Sequence, residues 1–366
     1  MKAILFHEAI CPAGTSWDQR LGEISDEVVL AEENGFHAYA QSEHHFAKGE
    51  AIISAPEVCL AYVAARTSKI KLRISSVNFL PFNHPLRVVE QAATLDILSG
   101  GRFELGGARS NNPYTLEAFR IDPSRTREYR DEFLNIIGKA LTEEWFEYKS
   151  DLYDIPKRRI SPWTPSRRPI PVHLSATSSE SHEQAGAAGC GVMSGLGILG
   201  WDYVRNCLDA YERGMAKAEP VVGSITSRFA TFSVGTSCHE DSKRARELTR
   251  KNTIDFFKVI IGWMTKLGQT AEGYEYMSRI QEVKENAENI DFLIETSPYI
   301  MAGSPDEILK TARRLYDMGV DDLIWRVDGM GHENNKATIE ALGKHVIPVM
   351  ETWPDRRPEQ RFGAAL

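Results

Sequence analysis

Runs of apolar residues, many of them β-branched, alternate with stretches of helical periodicity along most of the chain. The apolar runs predict strands, and apolar positions that recur every three or four residues between them predict helices. The clearest helix follows Pro85, which suits a first helical turn, and ends at Gly100 and Gly101. The pattern predicts strands at residues 2–7, 36–41, 70–80, 103–107, 172–175, 191–194, 228–236 and 323–327.

Strands that alternate with helices imply right-handed βαβ units and a parallel sheet. Helices are predicted between these strands, among them residues 126–143 and 241–261. Repetition of the unit eight times favours an α/β fold of the (β/α)8 TIM-barrel type, although a doubly wound sheet has the same pattern. We therefore expect residues 1–366 to form a single TIM-barrel domain.

Two segments interrupt the alternation. Residues 149–171 are rich in Pro and Arg and predict a long surface excursion. Residues 265–298 are polar and charged and form an extended insertion after strand 7. Active sites of such barrels lie at the carboxyl ends of the strands, so this insertion is placed to be a mobile lid over the site. The alternative is a surface insert without a role in the chemistry.

Charge and cysteine content narrow the class of function. The formal net charge is −8 and the sequence pI is near 5.8, which disfavours nucleic acid and anionic membranes as partners. The five cysteines are widely spaced and include no Cys-x-x-Cys pair, as is typical of a reducing compartment. The first residues contain too short an apolar run for a signal peptide or a membrane span. These features predict a cytoplasmic protein acting on small molecules.

The segment Glu43-His44-His45 follows the second predicted strand, where side chains reach the mouth of a barrel. His44 suits a general acid or base near neutral pH, and the alternative is a histidine pair that satisfies loop hydrogen bonds. Neighbouring side chains of an extended segment diverge, and the chain has no His-x-x-x-His or Cys-x-x-Cys spacing. We therefore predict no metal site.

Two further features predict an anion site at the same face of the barrel. Arg109 follows the fourth strand, and its guanidinium suits a phosphate or carboxylate. Thr177, Ser178 and Ser181 lie where a helix begins, and free N–H groups and hydroxyls there bind anions. A surface arginine and an ordinary helix cap are the alternatives. In the loop after the third strand, His84 suits either a catalytic role or the cap of the next helix.

The order and spacing of several short motifs resemble those of the bacterial luciferase-like flavin monooxygenases. The motifs extend over nearly the whole chain and include Arg127 and Gly303-Ser304-Pro305-Asp306-Glu307. The others are Glu43-His44-His45-Phe46, Leu80-Pro81-x-x-His84-Pro85, Leu95-Asp96-x-x-Ser99-Gly100-Gly101-Arg102-Phe103, Arg109 and residues 176–181.

The resemblance implies a flavin-dependent monooxygenase that uses reduced FMN and dioxygen, through a peroxyflavin, to oxygenate a small organic substrate. It implies that a separate NAD(P)H:flavin reductase supplies the reduced FMN as a transient partner. His44 matches the catalytic histidine near the flavin. Residues that match the flavin site are Ser76 and Val77 under the isoalloxazine, commonly joined by a non-prolyl cis peptide, and Arg109, Ala176, Thr177, Ser178 and Ser181 around the phosphate.

The resemblance also implies a homodimer that forms through helices 56–66 and 85–98, and it assigns residues 265–298 to the family's mobile lid. The chain has Ala108 and Gly195 where the luciferase α-subunit has Cys and Trp, so neither light emission nor a long-chain aldehyde is implied. Two alternatives stay open. One is a deazaflavin-dependent hydride-transfer enzyme of the same superfamily, and the other is a non-catalytic flavin-binding subunit.

Overall fold

Eight parallel strands close into a barrel in the computed structural model, which confirms the predicted fold. The structure describes residues 1–47, 51–162, 169–195, 197–221, 224–225, 228–272, 274, 284–286, 288–355 and 360–361. The barrel strands are β1 (Lys2–His7), β2 (Ala38–Gln41), β3 (Lys71–Asn78), β4 (Phe103–Ala108), β7 (Val172–Ala176), β8 (Gly191–Ser194), β10 (Phe229–Ser233) and β13 (Asp322–Arg326).

The order of neighbours around the barrel is β1-β13-β10-β8-β7-β4-β3-β2, so the first and last barrel strands pair and close it. Side chains alternate between the two faces of a strand, and one set therefore fills the interior. The inner layer contains Ile4, Phe6, Ala38, Ala40, Met193, Ala230 and Ile324. A larger apolar core lies between the barrel and the surrounding helices.

Helices cover the outside of the barrel, and most of them follow a barrel strand. Among the described residues, no helix combines the length and apolar character needed to cross a membrane. The helices are α1 (Trp17–Glu33), α2 (Pro56–Arg66), α3 (Pro85–Leu98), α4 (Pro113–Ala118), α5 (Thr126–Thr142), α6 (Ser179–Ala187), α7 (Trp201–Met215), α8 (Ser242–Thr270), α9 (Ile290–Thr296), α10 (Pro305–Met318), α11 (His332–His345) and α12 (Ile347–Glu351).

The structure differs from the prediction around the seventh strand. The predicted strand 228–236 divides after Ser233, and its second part, β11 (Gly235–Cys238), pairs outside the barrel with β12 (Ile300–Gly303). A side chain at Gly235 would collide with Thr253 of α8, so the chain turns away where that helix packs. Helix α8 continues to Thr270 and thus contains the first residues of the predicted lid.

Further elements lie where the sequence analysis named no strand or helix. The excursion after α5 includes an antiparallel hairpin of β5 (Phe146–Lys149) and β6 (Asp154–Arg158). Helix α10 begins with a capping box, in which the Ser304 side chain accepts from the Glu307 N–H and the Glu307 carboxylate accepts from the Ser304 N–H. A short antiparallel pair joins β9 (Ser224–Ile225) to β14 (Gln360–Arg361).

A buried ionic cluster joins the first and last units of the barrel. Glu27 of α1 accepts hydrogen bonds from Arg20 at 2.8 and 3.1 Å, and its carboxylate lies 2.9 Å from both His7 and His332. Arg20 also binds Asp328 at 2.9 Å, just beyond β13. The charges are paired, and the cluster fixes α1 and α11 against the barrel wall.

Candidate active site

A cavity opens at the carboxyl end of the barrel, where the predicted site residues were expected. Its walls are contributed by strand ends, by the loops after them and by α8. The predicted residues that line it are His44, Ser76, Arg109, Ala176, Thr177 and Ser181. The structure thus brings most of the predicted site together, although their roles stay predictions.

Two predicted flavin-site residues do not line this cavity. Val77 is 6% exposed and faces a separate small cavity between the barrel and α3. The non-prolyl cis peptide joins Ser75 to Ser76, one residue before the predicted pair. The strand pairing of β3 with β4 is irregular between Ile74 and Val77, and this irregularity directs Ser75 and Ser76 toward the cavity while Val77 returns to the core. Ser178 instead caps α6.

The Glu43-His44-His45 motif divides into two groups. Glu43 turns away from the centre of the cavity and accepts hydrogen bonds from the Asn78 N–H at 2.7 Å and from Asn83 Nδ2 at 2.9 Å. His45 Nε2 lies 2.7 Å from Glu43 Oε1. Glu43 and His45 therefore fix the loop, and His44 is left to face the cavity on the opposite side of the extended chain.

His44 pairs with Glu8, which lies just after β1. His44 Nε2 is 2.8 Å from Glu8 Oε2, and the Ser42 hydroxyl donates to the same oxygen at 2.5 Å. Burial alone lowers the pKa of His44, but the charge and hydrogen bond of Glu8 outweigh it and raise that pKa above its ordinary value. Burial raises the pKa of Glu8, and His44 and Ser42 reverse this, so the carboxyl stays ionised. The pair thus favours the protonated imidazole of His44 up to a higher pH than is usual for a histidine.

Arg109 and Arg130 place two guanidinium groups on the cavity wall. Arg109 follows β4, and its guanidinium carbon lies 4.1 Å from the centre of the Tyr274 ring. The Tyr274 hydroxyl donates to the carbonyl oxygens of Arg109 and Ser110 at 3.2 and 3.0 Å. Arg130, on α5, binds Asp131 and the Gln184 side-chain oxygen. Both guanidinium groups thus belong to the lining of one cavity.

The beginning of α6 faces the same wall. The Ser181 hydroxyl lines the cavity and accepts from the backbone N–H groups of Thr177 and Ser178 at 3.2 and 3.0 Å. The Ser178 side chain accepts from the Ser181 N–H in a capping box. The Ser181 hydroxyl donates to the Ser178 carbonyl oxygen at 2.8 Å, so the helix start offers an anion the positive end of its dipole.

Two other candidates have structural roles. The His84 Nδ1 atom accepts from the Leu86 N–H at 3.2 Å, so His84 caps α3. Arg127, part of the motif resemblance, pairs with Glu180 at 2.9 Å on the surface. Neither side chain lines the cavity.

Sequence reasoning missed Glu8 and Arg130. Glu8 carried a signal, because an acidic residue that ends a buried apolar strand is unusual and needs a partner. Arg130 lies one helical turn after Arg127 on α5, and only the burial pattern of that helix shows that it faces inward. The choice between two arginines at this spacing needs the orientation of the helix.

Comparisons with known proteins agree with this architecture. The family model of the luciferase-like monooxygenases matches residues 1–322. The oxygenase component of a flavin-dependent trigonelline monooxygenase from Acinetobacter baylyi is 24% identical over 344 residues, which are 92% of this chain and 92% of that protein. An alkanal monooxygenase alpha chain from Photorhabdus luminescens is 25% identical over 352 residues, 93% of this chain and 92% of that one.

Solved structures show the same fold. A monooxygenase from Streptomyces bottropensis superimposes with a TM-score of 0.76 at 24% identity, covering 96% of this chain and 100% of that one. The oxygenating constituent of 3,6-diketocamphane monooxygenase from Pseudomonas putida, in complex with FMN, has a TM-score of 0.76 at 21% identity, with 95% and 98% covered. A coenzyme F420-dependent reductase from Methanopyrus kandleri has a TM-score of 0.69 at 20% identity, with 95% and 98% covered.

These comparisons confirm the resemblance that the sequence motifs indicated. The matched residues 1–322 make up most of the 366-residue chain and contain all of the cavity-lining positions named above. The protein therefore belongs to the luciferase-like monooxygenase family.

Proposed function

We propose that the protein is the oxygenase component of a two-component monooxygenase that uses reduced FMN and dioxygen to oxygenate a small organic substrate. A separate NAD(P)H:flavin reductase would supply the reduced FMN. The observation that carries the proposal is that the His44–Glu8 pair and the Arg109 and Arg130 guanidinium groups face one cavity.

The residues present fit FMN. Arg109, Arg130 and the beginning of α6 offer two cations and a helix dipole to its phosphate. The Ser75 hydroxyl lines the cavity and has no hydrogen-bond partner among the described residues, so it is available to the polar edge of a ring system. Ala108 and Gly195 leave space at the wall.

Bound reduced FMN would supply the electrons with which dioxygen is activated for transfer of one oxygen atom to the substrate. The residues of the chain itself would contribute a proton and a cavity from which water is excluded. His44, whose protonated form Glu8 favours, can donate a proton from the cavity wall. The apolar side chains Phe6, Phe232 and Ile324 line the opposite part of the cavity and exclude water.

We also propose that residues 265–298 form the lid of this single domain. Tyr274, which belongs to this segment, is fully buried and covers the Arg109 guanidinium while its hydroxyl reaches the Arg109 and Ser110 carbonyl groups. Residues 273, 275–283 and 287 lie outside the described residues. The proposal of a lid therefore rests on Tyr274, which lies over the phosphate side of the cavity.

The test replaces His44 with Ala and measures product formed and hydrogen peroxide released per dioxygen consumed, with reduced FMN supplied. We expect H44A to release more peroxide and less product, because the protonating group is lost. The matched control is H84A, since His84 caps α3 outside the cavity. Unchanged coupling in H44A would show that His44 is not central.

The two alternative functions give other results in the same experiment. A deazaflavin-dependent enzyme would turn over anaerobically with reduced deazaflavin and would not consume dioxygen. A non-catalytic subunit would show no oxygen uptake as the purified chain with reduced FMN alone. We expect FMN-dependent oxygen uptake by the isolated chain.

We propose that two copies associate through α2 and α3. Apolar side chains are exposed on these neighbouring helices, namely Val58 at 65%, Tyr62 at 57% and Leu98 at 61%. Single exposed apolar residues are common, but a contiguous group is typical of an interface. All five cysteines are free thiols, which is consistent with the cytoplasm as the proposed location.

A further inference from the structure

Arg326, at the end of β13, is a buried cation that the proposed chemistry does not use. Its residue is 1% exposed. In the register of the closing strand pair it lies beside Phe6, and Phe6 lines the cavity. Ile324, two residues earlier on the same strand, also lines the cavity. Because side chains alternate along a strand, Arg326 points into the barrel mouth.

The hydrogen bonds of Arg326 are incomplete. Its Nε donates to the Val234 carbonyl oxygen at 2.5 Å, and its guanidinium carbon lies 4.2 Å from the centre of the Phe256 ring. Neither Nη1 nor Nη2 has a hydrogen-bond partner within the described part of the chain. A buried charged donor without an acceptor is destabilising, and such groups in folded proteins often mark a function.

The carboxylates nearest to Arg326 are committed to other cations. Glu8 Oε2 is bound by His44 at 2.8 Å, and Asp328 Oδ1 is bound by Arg20 at 2.9 Å. Over the described residues, no carboxylate oxygen lies within 4.0 Å of the Arg326 guanidinium. A guanidinium keeps its charge even when buried. Arg326 is therefore a charged group without a carboxylate in direct contact among the described residues.

This cation is separate from the proposed phosphate site. In the order of strands around the barrel, β13 and β4 lie four positions apart and thus on opposite sides. Arg109 follows β4, and Arg130 and α6 lie on its side of the cavity. Phe256 lines the cavity opposite them and covers the Arg326 guanidinium. An anion that meets Arg326 is therefore a second one, in addition to the phosphate.

We propose that Arg326 is a substrate-recognition residue and that the substrate carries a carboxylate. The planar fork of its two free Nη groups matches the two oxygens of a carboxylate. A turn of the Phe256 ring about its Cα–Cβ bond is the movement that admits the group, and the apolar remainder of the substrate then lies against Phe6 and Phe232. The inference rests on the proposed function, since it assigns the substrate class of that same cavity.

The test measures binding rather than turnover. Benzoate and its neutral analogue benzamide are titrated into the protein by calorimetry in phosphate buffer, so that phosphate occupies the Arg109 side. We expect the wild-type protein to prefer benzoate by about 10-fold or more, the range that a charge-assisted hydrogen bond gives. We expect R326M to lose that preference and R326K to keep part of it.

The controls separate recognition from folding. R314M removes an exposed arginine that lies 3.7 Å above the Trp201 ring on the surface, and it should leave the preference unchanged. F256A should keep or raise the preference, because it uncovers Arg326 without removing the charge. If R326M does not fold, the wild-type and F256A titrations still decide. Equal affinity of wild-type protein for the two probes would overturn the proposal, as would a preference that persists in folded R326M.

Failure of this inference is distinguishable from failure of the proposed function. A benzoate preference that depends on Arg326, in a chain without FMN-dependent oxygen uptake, would support the carboxylate site and contradict the proposed monooxygenase function. FMN-dependent oxygen uptake without a benzoate preference would support the monooxygenase function and contradict the carboxylate site.

Discussion

Glu8 and His44, which are separated in sequence by α1 and β2, meet at 2.8 Å at the mouth of the barrel. The contact arises because β1 and β2 are neighbours in the barrel and both end at the same face. It places the carboxylate of Glu8, which comes from another loop, beside the His44 ring. Several of the following predictions test contacts of this kind.

Replacing Glu8 with Gln should lower the pKa of His44. In the wild-type protein Glu8 raises that pKa, so the protonated imidazole persists to higher pH. Without the carboxylate, burial dominates and the imidazole loses its proton at lower pH. An NMR titration of the His44 ring should show the shift, and the pH profile of product coupling should move in the same direction. E240Q, at an exposed surface position, is the control. An unchanged His44 titration in E8Q would contradict the proposed pairing.

Replacing Arg130 with Met should weaken FMN binding, whereas R127M should not. A charge-assisted hydrogen bond contributes about 1.5–3 kcal/mol, which corresponds to roughly 10- to 150-fold in affinity. Arg130 lines the cavity. Arg127 lies on the same helix, α5, and pairs with Glu180 at the protein surface. Fluorescence titration with FMN measures both variants. Equal affinities of the two variants would place the phosphate elsewhere.

Replacing Glu27 with Gln should destabilise the fold without changing the cavity. The variant leaves Arg20 with one fewer carboxylate in a fully buried cluster, and breaking a buried pair typically costs about 3–5 kcal/mol. Urea unfolding of E27Q and of E33Q, an exposed position on the same helix, measures the difference. Similar unfolding midpoints for the two variants would mean that the cluster contributes little.

The same cluster predicts a pH dependence through His332. The hydrogen bond that His332 donates to Glu27 raises the pKa of His332 above its ordinary value, while partial burial opposes it. A raised histidine pKa contributes stability that is fully present below the unfolded value of about 6.5 and is lost as pH rises through the folded value. H332Q should therefore lower the urea midpoint at acidic pH and have less effect at alkaline pH. A difference independent of pH would exclude this linkage.

Replacing Val58 with Asp should separate the proposed dimer. A charge in the centre of an apolar interface loses its hydration when two copies associate. Val349, 42% exposed on α12, gives V349D as the matched control. Sedimentation of the wild-type protein and both variants tests this. A wild-type protein that sediments as a monomer would overturn the proposal directly.

The periodicity of the chain predicted the barrel, although a doubly wound sheet would show the same pattern. It located His44 and Arg109 at the correct face, since both follow a strand. It did not separate Ser75–Ser76 from Ser76–Val77 as the cis pair, because an irregular strand pairing shifts side chains by one position. The division at Val234 was also hidden, since no proline or charged residue separates β10 from β11 in the sequence.

Contacts between distant units account for the rest. Nothing near Arg326 in sequence shows that its two candidate carboxylates are taken by His44 and Arg20. Similarly, the position of Tyr274 over Arg109 joins residues that are far apart along the chain. Such pairings follow from the closure of the barrel, and a single sequence carries no local signal for them.

The side chains of Glu43, His44 and His45 point alternately to two sides of their loop, and related sequences should therefore vary differently at these positions. Glu43 and His45 are tied to Asn83 and to Asn112, whose side chain donates to the His45 carbonyl oxygen at 3.0 Å. His44 is tied to position 8. Substitutions at 43 and 45 should therefore covary with the loops after β3 and β4. A change at position 44 should covary with the end of β1 and be independent of changes at positions 43 and 45.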